Sequence, residues 1–91
     1  MRLNPDFIKH DTDKGAVLIA VGKTGEKFKG MVNINKTGSF IVDHLKEETT
    51  FETLLADIMK EYDIDEETAK NDLDAFLAGL RKIKAVLEQY D

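Results

Sequence analysis

The chain has 91 residues, 42% of them apolar. A domain of this size buries roughly two-thirds of its unfolded surface, enough for one modest core and too little to spare a deep catalytic cavity. The formal net charge is −5 and there is no cysteine, which excludes disulfides and thiolate metal sites and makes the chain a poor ligand for polyphosphate. No run of 18 apolar residues occurs, and the opening Met1-Arg2-Leu3-Asn4-Pro5-Asp6 has no apolar signal region. Neither a membrane span nor a secretory signal is expected, and a cytoplasmic protein built as a single domain over 1–91 is.

Charge and composition both change near residue 36. Residues 1–36 hold seven Lys/Arg and four Asp/Glu, a balance of +3; residues 37–91 hold six and fourteen, a balance of −8. Four of the six glycines and the only proline lie in the first segment, and the second is rich in helix formers. In the first segment, Phe7-Ile8-Lys9-His10 reads as a short strand and His10 to Gly15 as a turn. Ala16 to Val21 is a six-residue apolar run between glycines, too short for a helix, and reads as a central strand. Gly22 to Lys27 reads as a hairpin loop. Phe28 to Asn35 reads as a third, half-buried strand, with Val32 and Ile34 on one face and Asn33 and Asn35 on the other.

Three helices are expected next. The first spans about Lys36 to Lys46 behind an Asn35 cap, with Phe40, Ile41, His44 and Leu45 at helical spacing. The second opens at Thr49-Thr50-Phe51-Glu52, which reads as a capping box between Thr49 and Glu52. The third starts at Asp65-Glu66-Glu67, where acidic groups favour the positive end of the helix dipole. Its apolar stripe runs through Ala69, Leu73, Phe76, Leu77 and Leu80, and the pattern continues to about Tyr90. Leu80, Ile83, Val86 and Leu87 are expected to be incompletely covered. The fold class is therefore α+β: an N-terminal three-stranded antiparallel sheet, with the third strand at an edge, followed by three helices in a helix-turn-helix-like cluster.

Motifs for chemistry are weak. Gly22-Lys23-Thr24 resembles the end of a phosphate loop, but Val17 stands where the loop needs its first glycine and no helix is expected to follow. Asp11/Asp13 and Asp63/Asp65 lack the remaining ligands of a calcium loop and read as turn and cap residues. His10 and His44 read as partly buried structural histidines. Ser39, Asp43 and His44 supply the residue types of a triad, but adjacent helical residues diverge and there is no nucleophile elbow. No catalytic residue, cofactor or metal site is expected.

Phe28-x-Gly30-Met31-Val32-x-Ile34-Asn35-x-Thr37-Gly38-x-x-Ile41 resembles the strand-to-helix signature of the PqqD family. Similar segments follow in order: Leu45, Thr50-x-Glu52-x-Leu54-Leu55, Glu61-Tyr62-Asp63-Ile64-Asp65, and Asp72-Leu73-x-x-Phe76-Leu77-x-x-Leu80. The opening Leu3-Asn4-Pro5-Asp6 fits as well, so the resemblance covers about residues 3–87. It implies a winged helix-turn-helix fold and a non-enzymatic role, that of a peptide chaperone or recognition element. Such a domain binds the leader of a ribosomally synthesised precursor peptide by strand addition and presents it to a modifying enzyme, often a radical-SAM maturase. By position it implies peptide contacts at Met31, Val32, Asn33 and Ile34, faced by Asp72, Ala75, Phe76, Gly79 and Leu80. Many members carry a glycine near the end of the last helix, where this chain reads Arg81-Lys82-Ile83-Lys84.

An exposed strand edge beside an incompletely covered apolar helix agrees with that role, because main-chain pairing supplies affinity and alternate pockets supply specificity. Two alternatives share the fold. A winged-helix nucleic-acid binder needs a basic recognition helix, and the second helix carries Glu52, Asp57 and Glu61 against Lys60. A docking subunit would join a complex without binding a leader.

Overall fold

The structure is a computed structural model that describes residues 1–27 and 30–88. Its elements run β1 (Arg2–Leu3), β2 (Phe7–Thr12), β3 (Gly15–Ala20), α1 (Gly22–Lys27), β4 (Met31–Ile34), α2 (Lys36–His44), α3 (Phe51–Tyr62), α4 (Glu66–Lys82) and β5 (Val86–Leu87). The main sheet is antiparallel in the order β2-β3-β4, so the apolar run is central and β4 is an edge, as expected. The Phe28 start of the third strand lies outside the described residues.

The turn between β2 and β3 is tighter than the sequence suggests. Strand pairing continues to Thr12↔Gly15, leaving only Asp13 and Lys14 as the loop. The inner face of the sheet, carrying Phe7, Ala16, Leu18 and Ile34, packs on Ile41, Val42 and Leu45 of the α2 segment. Leu54 and Ile58 of α3 and Ala69, Leu73, Leu77 and Leu80 of α4 complete the core. Burying the Phe, Leu, Ile and Val side chains among these is worth about 1.5–3 kcal/mol each.

Three expectations are corrected. Gly22–Lys27 is a short helix, not a hairpin loop. Gly22 enters it at φ +63°, and the Asp6 carboxylate accepts from the Thr24 hydroxyl at 2.9 Å and its amide at 3.4 Å. The stabilising partner is 18 residues away, so no local pattern announces it. The cap of α3 is Thr50, which accepts from the Thr53 amide at 3.1 Å, in place of the Thr49/Glu52 box. The expected caps Asn35 and Asp65 are present, accepting from Gly38 at 2.8 Å and Thr68 at 3.2 Å.

The third correction concerns the last helix, which ends at Lys82 and does not continue toward Tyr90, itself outside the described residues. Lys84 takes the left-handed conformation at φ +65°. Its amide donates to the Arg81 carbonyl at 3.0 Å, and the Ala85 amide donates to the Leu80 carbonyl at 2.8 Å. This is a Schellman closure with lysine where glycine is usual. Beyond it β5 pairs antiparallel with β1, Arg2↔Leu87 and Leu3↔Val86. The Asn4 side chain donates to the Lys84 carbonyl at 2.8 Å. The N-terminal segment thus covers the end of α4, and Leu80, Ala85 and Val86 are buried. Only Ile83 and Leu87 stay partly open.

Candidate functional site

Two adjoining clefts run along one side of α4. The first, about 260 Å³, lies between β4 and α4 and is lined by Val32, Asn33, Ile34, Ala75, Phe76, Gly79, Leu80 and Ile83. The second, about 500 Å³, continues past the end of β4 between α2, α3 and α4 and includes Asn35, Thr37, Tyr62, Ile64, Asp72 and Phe76. Ala75 and Phe76 belong to both, so the pair forms one trough.

The register decides which main-chain groups line the open edge. The Val21 amide donates to the Asp6 carbonyl at 2.7 Å, which makes Asp6 and Val21 a hydrogen-bonded pair in line with the β2–β3 register of Phe7↔Ala20 and onward. Alternation along an antiparallel ladder then turns the main-chain groups of Val17 and Ile19 toward β2 and those of Ala16 and Leu18 toward β4. Their β4 partners are Ile34 and Val32. Val32 and Ile34 therefore pair inward, while the N–H and C=O groups of Met31 and Asn33 point to the open edge. No strand among the described residues lies beyond β4.

Of the residues singled out from sequence, Val32, Asn33, Ile34, Ala75, Phe76, Gly79 and Leu80 meet around the narrow cleft, and Asp72 lies on the wider one. Leu80 is mostly core, 2% exposed. Met31 lines neither cleft. Its side chain is on the opposite face of the sheet, 68% exposed, and only its main chain belongs to the groove edge. Ile83, expected from sequence to lie incompletely covered beside the strand edge, does line the narrow cleft, although it stands at the cap of α4 and not inside a longer helix. Sequence reasoning missed Tyr62 and Ile64, which flank Asp63 at φ +48°, where α3 ends and the chain turns.

Two glycines shape the trough. A Cβ on Gly38 would come within 2.7 Å of Phe76 Cε1 and 3.2 Å of Ile34 Cβ, so the bare α2 backbone makes room for the Phe76 ring. A Cβ on Gly79 would meet nothing within 4 Å. Gly79 lies within α4 on its exposed side, so no contact inside the protein requires a glycine there.

The residues that supply the types of a triad are engaged elsewhere, Ser39 and Asp43 by Lys9 and His44 by the Phe40 carbonyl. Lys9 Nζ donates to Asp11 at 2.6 Å, Ser39 at 2.6 Å and Asp43 at 3.0 Å. Burial opposes its charge, yet the hydrogen bonds to Asp11 and Asp43 outweigh burial and hold the ammonium above the usual lysine range. The Lys9 hydrogen bond holds Asp11 below the usual carboxylate range. Asp65 is held low by its hydrogen bonds from Thr68 as it caps α4. His44 Nδ1 is 2.9 Å from the Phe40 carbonyl. His10 is exposed, contrary to the expectation that it would be partly buried. Among the described residues no three His, Asp or Glu side chains stand together as a metal site, and no helix is long and apolar enough to cross a membrane.

The sequence model of a family described as coenzyme PQQ synthesis protein D (PqqD) matches residues 15–86. Among solved structures, one described as TbiB1 in complex with the TbiA(beta) leader peptide is similar over 100% of both chains, with a TM-score of 0.80 and 25% identity. Another, described as lasso peptide synthetase B1 complexed with the leader peptide, is similar over 96% of both chains, with a TM-score of 0.74 and 25% identity. No curated protein matched.

Proposed function

The chain belongs to the PqqD family, and from that premise we propose that residues 1–91 act as one recognition domain for the leader of a ribosomally synthesised precursor peptide. The leader adds as a strand beside β4 and lays alternate side chains into the trough against α4. The observation that carries this reading is the open β4 edge standing directly over an apolar cleft, with Met31 and Asn33 offering main-chain groups outward. From Asp72 to Ile83 the helix rises about 16 Å, which an extended peptide covers in about five residues. The two similar solved structures each hold a leader peptide, which supports the same assignment here.

The domain has no catalytic part to play in this reading. It raises the local concentration of the precursor and orients it for a separate enzyme, for which a radical-SAM maturase is the proposed partner. The cytoplasm, where such a precursor is made, is the proposed compartment. We read the cluster of α2 to α4 on its sheet as a winged helix whose acidic α3, with Glu52, Asp57 and Glu61 against Lys60, suits a peptide better than a polyphosphate.

Isothermal titration of the chain with the leader of the precursor encoded beside it, in EDTA, tests the proposal. Saturable binding with NMR shifts confined to β4 and α4 is expected. The absence of both heat and shifts would refute it.

A further inference from the structure

We infer that the bound peptide is read on both faces of the sheet, with Met31 selecting an apolar residue on the face turned away from the trough. The inference rests on the strand-addition reading and names the class of peptide that reading requires.

Met31 and Ile8 are the exposed large apolar side chains of the described residues, at 68% and 53%. Ile8 pairs with Ile19, and Ile19 pairs with Met31. Residues paired across strands share a face, so these three form one row across the outer face of the sheet. The next row is His10, Val17 and Asn33. The apolar row ends at Met31, on the strand whose outward main-chain groups meet the added peptide.

Geometry fixes what the peptide contributes. A strand added antiparallel at this edge exchanges hydrogen bonds with Met31, which sets the opposing Cα about 5.5 Å away with its side chain on the same outer face. That residue becomes the fourth member of the row. It covers a methionine that nothing else in the described residues covers. The residue opposite Asn33 is also outward, beside an exposed amide. The residues opposite Val32 and Ile34 point inward, to the cleft. Reading along the added strand from the position opposite Ile34 to that opposite Met31, the preferred peptide is apolar, polar, apolar, apolar. A half-buried strand of ordinary alternation would place a polar residue in the last position.

The test uses random octapeptides displayed on mRNA and selected on the full chain. The wild-type pool should show the four-position pattern. Selection on Met31→Lys should keep the two inward apolar positions and replace the outward apolar residue with Asp or Glu. The wild-type consensus peptide should bind Met31→Lys about fivefold more weakly. Met31 is exposed, so circular dichroism and urea melts should match the wild type. An unchanged pool and an unchanged affinity would overturn the inference. So would unchanged affinity with slowed modification of a bound precursor, which would assign the outer face to the enzyme. Asn33→Pro separates the two levels. If it binds the wild-type pool undiminished, strand addition itself fails. If it loses binding while Met31→Lys selects the same pool as wild type, only the outward selection fails.

Discussion

The central strand β3 has a neighbour on each side, and the two edges are built differently. On β2 the main-chain groups of Lys9 and Asp11 turn outward, while the Phe7 amide donates to the Asn4 carbonyl at 2.9 Å; β4 presents those of Met31 and Asn33. On β2 the side chain of Lys9 turns inward, 4% exposed, and is held by Asp11, Ser39 and Asp43. An inward-pointing charge on an edge strand is one of the devices by which sheets refuse a further strand, because any partner would have to desolvate it. β4, Met31 to Ile34, carries no charged side chain, and its inner face opens on an apolar cleft. The contrast teaches that this sheet is protected on one side and left available on the other. Availability on β4 is therefore a property to be explained by a ligand.

The largest expected effect breaks the available edge from within. Ile34→Pro removes an amide that pairs with Ala16 and disturbs a buried side chain, and it should cost about 3 kcal/mol or more. Loss of the cooperative urea transition by circular dichroism is the readout. A folded Ile34→Pro protein would mean that the parity of β4 is opposite to the one derived above. Asn33→Pro deletes an outward amide instead. It should stay folded and lose about 1 kcal/mol of peptide binding, roughly fivefold in affinity by titration. The matching change on the protected edge, Asp11→Pro, should leave peptide affinity within about twofold. If Asp11→Pro and Asn33→Pro weaken binding equally, the peptide does not distinguish the edges and the comparison fails.

The β4 half of this contrast was legible in the sequence, and the part that was not has a common cause. Strand identity, the edge position of β4 and the Val32/Ile34 face follow from alternation and from glycine placement, which are local. The caps at Asn35 and Asp65 are local too. The parity of the edge was not legible. It depends on the hydrogen-bonded pair Asp6–Val21, set by a turn of only two residues between β2 and β3. α1 was missed because its stabilising carboxylate comes from Asp6. The end of α4 was missed because lysine, an unusual residue for the left-handed position, closes it, and because the partner of β5 is at the other end of the chain. In the site, Phe76 and Gly79 were found by resemblance and position. The seating of Phe76 against Gly38 is a contact between α2 and α4 that spacing within either helix does not reveal.

A smaller effect is expected from removing the protection of β2. In Lys9→Met the two carboxylates left behind, Asp11 at 77% and Asp43 at 49% exposure, stay solvated, so the usual penalty for orphaning a buried charge is largely absent. Stability should change by less than about 1 kcal/mol, since replacing a buried ionic group with an apolar one of similar size is often neutral. The β2 edge should then accept strands, seen as concentration-dependent dimerisation by analytical ultracentrifugation. A strictly monomeric variant would show that Lys9 is not what closes that edge. The wild-type clamp has a defined pH window. Asp11 is depressed in the fold, so its contribution is present above its unfolded value and is lost as pH falls through the folded one. Lys9 is raised, so its contribution is present below its usual 10.5 and is lost as pH rises through the folded value. Neutral pH lies inside both limits, and the two edges are properly compared there.

The smallest change tests why the available side carries a helical glycine. Gly79 is in α4, where glycine costs about 1 kcal/mol relative to alanine through backbone entropy. A methyl group there would touch no protein atom within 4 Å, so the fold gains nothing from its absence. Gly38 is the instructive opposite, since a Cβ there would strike Phe76. Gly79→Ala should therefore stabilise the protein by about 0.5–1 kcal/mol in urea melts. The same methyl group would project over the narrow cleft beside Ala75 and Ile83, where an added strand passes closest to the helix. Peptide affinity should fall as stability rises, a divergence that no purely structural role for Gly79 produces. Increased stability with unchanged affinity would show that the peptide does not cross α4 at this point, and would move its path toward the wider cleft at Tyr62 and Asp72.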